Sequence, residues 1–272
     1  MGALVGKFFR DRGTHLAAMI AYFALLSFFP LMFLALALLG LAGRADESSF
    51  FVEELGEIFP GASITDIVKA VQTVQDNATT LGIVGGAILL WTSLSLFSVL
   101  ESALNVVYGR PNRSFLRGKA LAVVFMLGSL VTLFVGLLIG SIGAEVLKRF
   151  APGFVSNSIV AYGLSVLIST AAVFLFLFSA YYRLTNAPLT VQEVLPGTIL
   201  ATFALQATFQ ALPLYLRLSN NVPAAQAFGG PVILLVWLYV MSNVIVFGAE
   251  VNWWRSQRRG EPAPHDEAAG LA

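Results

Sequence analysis

Cysteine is absent from the chain, and histidine occurs only at His15 and His265. The first absence excludes disulfides, thiolate nucleophiles and cysteine-ligated metals, while leaving the redox compartment open. Neither histidine has a spaced His, Asp or Glu partner of the kind a metal site needs. No G-x-x-x-x-G-K-[S/T] phosphate loop and no G-x-S-x-G nucleophile elbow occurs. Charge is scarce as well: charged residues are 11% of 272, against roughly 25% in soluble domains, and 16 basic and 15 acidic side chains leave a formal +1. A near-neutral chain has no global field for gathering polyanions. These absences predict a protein that is not an enzyme, with no catalytic, cofactor or metal site and no nucleic-acid partner.

What is present is apolar. Hydrophobic residues make up 57% of the chain, with 22 phenylalanines, and the mean hydropathy is +0.81. Too little polar material exists to cover a soluble fold of this size, so the composition predicts an integral membrane protein. Long uncharged gaps run from Arg12 to Arg44, Asp76 to Glu101, Lys119 to Glu145, Arg149 to Arg183, Glu193 to Arg217 and Arg217 to Glu250. Each gap holds the roughly 20 residues that a helix needs to cross a bilayer. The expectation is an all-α polytopic membrane protein with six transmembrane helices: Leu16–Leu41, Leu81–Val107, Ala120–Gly143, Ile159–Tyr182, Val194–Leu216 and Phe228–Glu250. They would form a single membrane domain over 1–255, followed by a disordered tail over 256–272.

Lys and Arg in the connections divide eleven to five in favour of the side holding both termini, which predicts cytoplasmic termini. The 44–80 connection is acidic and amphipathic. Ser63 and Asp66 have capping-box spacing, and Ile64, Ile67, Val68, Val71 and Val74 recur at helical spacing. It is expected to form an outer helical cap between the first and second spans, either as plain structure or as a lid.

Within the spans, polar residues fall in rows. Ser95, Ser98, Glu101, Asn105 and Tyr108 share one stripe; Thr198, Thr202, Gln206 and Gln210 another; Tyr239, Asn243 and Glu250 a third. Hydrocarbon does not solvate a lone amide or carboxylate, so these rows must face each other, another subunit or water. They are either interhelical hydrogen bonds that fix packing or the lining of a polar path. Under the second reading the path residues are Glu101, Asn105, Gln206, Gln210, Asn243 and Glu250. Glu101 and Glu250 lie near span ends, where each either pairs with a base such as Arg110, Arg183 or Arg255 or serves as a proton or cation site. Glu250 is followed by Asn252, Trp253, Trp254 and Arg255, an interfacial belt. Pro30, Pro196, Pro213 and Pro231 are expected to break or bend their helices. Gly82–Gly86 and Gly136–Gly140 have the spacing of close helix crossings.

Four blocks in order carry a family resemblance. They are Ala21-Tyr22-Phe23-Ala24-Leu25-Leu26-Ser27-Phe28-Phe29-Pro30-Leu31, Glu101-Ser102-Ala103-Leu104-Asn105-Val106-Val107-Tyr108-Gly109, Tyr182-Arg183 with Val194-Leu195-Pro196-Gly197, and Trp237-Leu238-Tyr239 with Gly248-Ala249-Glu250-Val251-Asn252. Together they resemble the YihY/BrkB family of bacterial inner-membrane proteins, over about residues 10 to 255. One departure stands at Gln226-Ala227-Phe228-Gly229-Gly230, where the family commonly has a Tyr-Gly-Ser-Leu-Gly-like turn. The resemblance implies a multi-pass protein of the bacterial inner membrane. The family is similar to proteins once labelled ribonuclease BN, chemistry for which this sequence offers no metal ligands.

The resulting expectation is a transporter-like protein that moves or exports a lipid or small amphipathic solute. Membrane lipids, such a solute, and a second copy or other envelope proteins are its expected partners. The alternative is a structural or assembly protein of the cell envelope without transport activity.

Overall fold

The computed structural model describes residues 2–41, 78–129, 131–132, 158–219 and 230–258. Every regular element in them is helical. The order is α1 (Gly2–Arg10), α2 (Gly13–Leu41), α3 (Ala78–Val107), α4 (115–129), α5 (Ser158–Ser179), α6 (Val191–Ser219) and α7 (Gly230–Arg258). α5 passes directly into a π-helical turn, Ala180–Leu184.

α1 is a short amphipathic helix. Leu4, Lys7 and Phe8 share its buried stripe, while Val5 and Phe9 stay exposed. It ends at Asp11-Arg12, where Arg12 takes the left-handed conformation at φ 56°. Glycine is required next, because a Cβ on Gly13 would run into the Phe8 ring. α2 then buries Leu16, Ala17, Ile20 and Ala21 along one face. Its Ser27 Oγ donates to the Thr92 carbonyl of α3 at 3.0 Å.

α7 packs against both α2 and α6; α2 also packs on α3, α5 on α6, and α1 on α2 and α7. The tightest crossing is that of α6 with α7. A Cβ on Gly197 would meet the backbone oxygen of Gly248, and one on Gly248 would lie 2.8 Å from the Ala201 Cβ. Small residues bring the two backbones together because dispersion, rather than water exclusion, holds helices to each other in lipid. The largest core cluster runs from Phe8, Leu16 and Leu104 through Tyr181 and Leu184 to Val246 and Ala249.

The exposure pattern is inverted relative to a soluble protein. Trp91, Leu167 and Phe203 are 70%, 65% and 66% exposed, whereas Asn105, Glu250 and Asn252 are at 0%. Apolar bodies outside and ionisable groups inside are what a hydrocarbon solvent selects.

The all-α class stands, but the expectation of six spans does not. Among the described residues, three helices are long and apolar enough to cross a membrane: Val166–Leu184, Val191–Ala211 and Val232–Gln257. Two further apolar helical stretches, Gly13–Phe28 and Leu94–Val107, are shorter. Charge-free gaps suggest six crossings, whereas three helices among the described residues meet the length and the apolarity together. Of the expected 120–143 span, only residues to 132 fall among those described. Of the expected cap over 44–80, residues 44–77 lie outside the described residues, while 78–80 belong to the start of α3; the Gly136–Gly140 pair and the tail beyond Arg258 also lie outside them.

The prolines do not end helices. α2 continues through Pro30 and α6 through Pro196 and Pro213, while Pro231 is the second residue of α7. A proline removes one N–H from the ladder, and in a membrane helix local adjustments and neighbours compensate for that loss.

Candidate functional site

One end of the bundle gathers α1, the C-terminal ends of α3 and α7, the π turn and the start of α6. Two cations organise it.

The first is Lys7, buried at 5% exposure on the apolar stripe of α1. Its Nζ donates to Glu250 Oε2 on α7 at 2.8 Å and to the Val107 carbonyl at the end of α3, also at 2.8 Å. It also pairs with Asp11 one turn on and sits 4.1 Å from the centre of the Trp253 ring. A buried ammonium is tolerated only when its donors are filled, and here three acceptors and an aromatic face surround it. α1 is thereby pinned to two other helices.

The second is Arg113, in the connection between α3 and α4. Its guanidinium donates to Glu101 Oε1 at 3.0 Å. It also donates to the carbonyls of Arg183 and Thr185 at 3.0 Å each, and to that of Leu184. The π turn explains the cluster of acceptors. Widening the helix at its end leaves consecutive carbonyls without helical donors, and a planar five-donor group is suited to collect them. Asn105 extends the network: its Nδ2 donates to Asn112 Oδ1 at 3.0 Å, and its Oδ1 accepts from the Asn186 backbone N–H at 2.7 Å. Asn186 Nδ2 closes the ring on the Pro111 carbonyl at 3.0 Å.

α6 enters this layer through a capping box. Glu193 Oε2 accepts from the Thr190 N–H at 2.6 Å and from its hydroxyl at 2.8 Å. One turn further, the Gly197 N–H donates to Asn252 Oδ1 of α7 at 2.5 Å, a close approach allowed because Gly197 and Gly248 at the crossing carry no side chains. Tyr181 of the π turn donates to the Ile245 carbonyl at 2.7 Å.

Not every polar atom here is satisfied. Tyr108 Oη, Glu250 Oε1 and Asn252 Nδ2 are buried with no hydrogen-bond partner among the described residues. Burial first, then the carboxylates of Glu193 and Glu250, hold the Tyr108 phenol well above its ordinary pKa, so it is a neutral donor. Such orphaned groups are uncommon in folded proteins and mark water, a ligand or a strained state.

The structure brings Glu101, Asn105 and Glu250 to this end and leaves the other expected path residues elsewhere. Gln206, in mid-α6, reaches Ser169 of α5 over a long 3.3 Å, and its Oε1 is buried without a partner among the described residues, as is Thr202 Oγ1. Asn243 donates back to the Tyr239 carbonyl of its own helix at 2.8 Å. Gln210 is exposed. The expected bases are corrected too. Glu101 pairs with Arg113 and Glu250 with Lys7, not with Arg110, Arg183 or Arg255. Arg183 contributes its carbonyl, while its guanidinium lies 5.4 Å from the Tyr182 ring.

Lys7, Arg113, Asn112, Asn186 and Asn252 were not singled out as site residues from the sequence. Lys7 had a signal, since it falls on the same helical stripe as Leu4 and Phe8. The capping spacing Thr190-x-x-Glu193 was a second. Among the described residues no group of three His, Cys, Asp or Glu could hold a metal ion.

Three of the four sequence blocks converge on this layer: Glu101 and Asn105 on α3 with Tyr108 just beyond it, Arg183 in the π turn with Gly197 on α6, and Gly248, Glu250 and Asn252 on α7. The family model described as virulence factor BrkB matches residues 4–270. The chain belongs to the BrkB family. Among its BrkB-like relatives, a protein of Bacillus subtilis named as ribonuclease-like, YfkH, is 26% identical over 272 residues, covering 95% of this chain and 96% of the relative. A UPF0761 membrane protein of Rhodospirillum rubrum is 29% identical over 279 residues, covering 93% of this chain but 59% of the relative. One from Pseudoalteromonas translucida is 26% identical over 272 residues, with 94% and 86% covered. No solved structure matches this BrkB-family chain. It is a membrane protein of a family whose shared name describes virulence rather than a chemical activity.

Proposed function

We propose that this BrkB-family protein moves a lipid or small amphipathic solute across the bacterial inner membrane, and that the Lys7–Glu250 and Arg113–Glu101 layer is the closed end of its path. The observation that carries this reading is the buried ion pair Lys7–Glu250 accompanied by three orphaned polar atoms, Tyr108 Oη, Glu250 Oε1 and Asn252 Nδ2. A pair kept only to hold helices together gains from having every lone pair filled. Unfilled groups beside it favour a layer that exchanges partners. From there the polar row of α6, Thr198, Thr202 and Gln206, leads toward mid-membrane, where Thr202 Oγ1 and Gln206 Oε1 also lack partners among the described residues. Glu101 and Glu250 would supply charge at the mouth, with Asn105, Gln206, Gln210 and Asn243 orienting the solute. Without a nucleotide-binding motif, the energy comes from a gradient, a partner or downhill flow. The eleven-to-five excess of Lys and Arg favours placing this mouth, with both termini, on the cytoplasmic side.

The test is flux of a fluorescent phospholipid in proteoliposomes. Glu101→Gln and Gln206→Leu are expected to lower it, and Phe203→Ala, on the exposed face, to leave it unchanged. Undiminished flux in both polar variants would remove these side chains from the mechanism.

A second reading, an assembly protein of the cell envelope, is favoured by one feature. Glu101 and Asn105 are bonded to the 110–113 and 185–186 segments as anchors would be. Under it, the wild-type protein moves no tracer at all. The ribonuclease-like name of YfkH is not carried over, because the described residues offer no metal-ligand cluster. RNA incubated with the purified protein and Mg²⁺ or Zn²⁺ is expected to remain intact.

A further inference from the structure

The outer side of the Lys7 junction is an open groove of about 490 Å³ between α1 and the last turns of α7. Gly6, Lys7 and Arg10 form one wall, and Trp253, Trp254 and Gln257 the other. We propose that this groove holds the phosphate headgroup of an anionic phospholipid from the leaflet on the side of the termini. The proposal is independent of whether the protein transports anything.

Depth comes first. Trp253, Trp254 and Gln257 close the Val232–Gln257 stretch that is long and apolar enough to span the membrane. The groove therefore sits where hydrocarbon gives way to water, the level at which tryptophan and arginine contact headgroups. Shape comes second. Gly6 keeps the α1 wall low, with nothing within 4 Å of where its Cβ would stand, so the space beside the indoles stays open.

Charge decides the sign of the occupant. Lys7 lines the groove with its charge already matched, since both nearby carboxylates, Asp11 and Glu250, are bonded to it. Arg10 is exposed and makes no hydrogen bond or ion pair among the described residues; Arg12, two residues on, and Arg255, next to Trp254 on α7, are exposed too. The rim thus carries the Arg10 guanidinium with no acid paired to it among the described residues, and a guanidinium fork is complementary to phosphate oxygens. Finally, Val5 and Phe9 of α1 are 43% and 63% exposed. They offer an apolar border along which acyl chains can lie while the headgroup meets Arg10. A free phosphate would gain only the rim charge; a lipid gains the apolar border and its confinement to the membrane surface.

Native mass spectrometry of the full chain, released from mixed phosphatidylglycerol and phosphatidylcholine, tests this. Wild-type protein is expected to retain phosphatidylglycerol in preference to phosphatidylcholine, and excess inorganic phosphate to leave it bound. Arg10→Gln should lower retention about fivefold, the effect of one interfacial cation worth about 1 kcal/mol, and Arg10→Lys should restore much of it. Arg10 is exposed, so neither variant threatens the fold. Arg117→Gln removes the same charge from the exposed face of α4 and is expected to change nothing. Equal retention of the two lipids by wild type, equal losses from Arg10→Gln and Arg117→Gln, or displacement by inorganic phosphate would each overturn the assignment.

Discussion

The two polar regions of this molecule differ in how their hydrogen bonds are spent. At the end holding α1 and the last turns of α7, Lys7 gathers acceptors from α7, the end of α3 and Asp11, and Arg113 from α3 and the π turn, joining these elements into one layer. In mid-membrane, among the described residues, Gln206 makes one long contact with Ser169, and Asn243 bonds only to its own helix. One region is cross-linked and charged; the other is neutral and loosely tied. Bonds between elements hold the end shut as a unit, whereas bonds within a helix leave that helix free to slide. Under the transport reading, opening is a matter of breaking the first layer, and passage a matter of sliding along the second.

The largest expected effect comes from halving the Lys7–Glu250 pair. Lys7→Ala leaves a carboxylate buried at 0% exposure without its counter-ion, and should lower stability by about 3–5 kcal/mol. Lys7→Met combined with Glu250→Leu should recover most of that, because an apolar pair needs no compensation. Denaturant titration in detergent micelles distinguishes the two. A double variant no better than the single would show that the pair itself, rather than the stranded charge, carries the stability.

Next comes the α6–α7 crossing, on which the Gly197–Asn252 bond depends. Gly197→Ala is expected to destabilise by about 1–3 kcal/mol in the same titration, since the obstacle is the Gly248 backbone and not a side chain that can turn away. The smallest effect is expected in mid-membrane. Gln206→Leu should shift stability by no more than about 0.6 kcal/mol, the typical worth of one interhelical hydrogen bond in a membrane. A loss as large as that of Lys7→Ala would erase the contrast between the two regions.

Much of the end layer was legible, and the reason is chemical. Glu101, Asn105 and Glu250 stand out in the sequence because hydrocarbon makes an ionisable or amide group conspicuous, whatever the fold. Their partners were hidden for the converse reason. Arg113 and Lys7 lie in stretches where positive charge is ordinary at a membrane surface, and only the π turn reveals that Arg113 has carbonyls to collect. Period-four spacing placed Thr202 and Gln206 together on α6, but spacing on one helix does not say which neighbour it faces. The count of crossings failed because a charge-free gap in the sequence is not by itself a helix both long and apolar enough to span a bilayer.

The Lys7–Glu250 contact joins residues 243 positions apart in the chain, and that separation imposes an order of assembly. When Lys7 leaves the ribosome its carboxylate partner has not yet been made, so the ammonium must wait in the aqueous boundary until α7 is inserted. α1 is therefore synthesised well before α7 and yet can dock only after it, like a buckle that can be fastened only after the strap has been threaded.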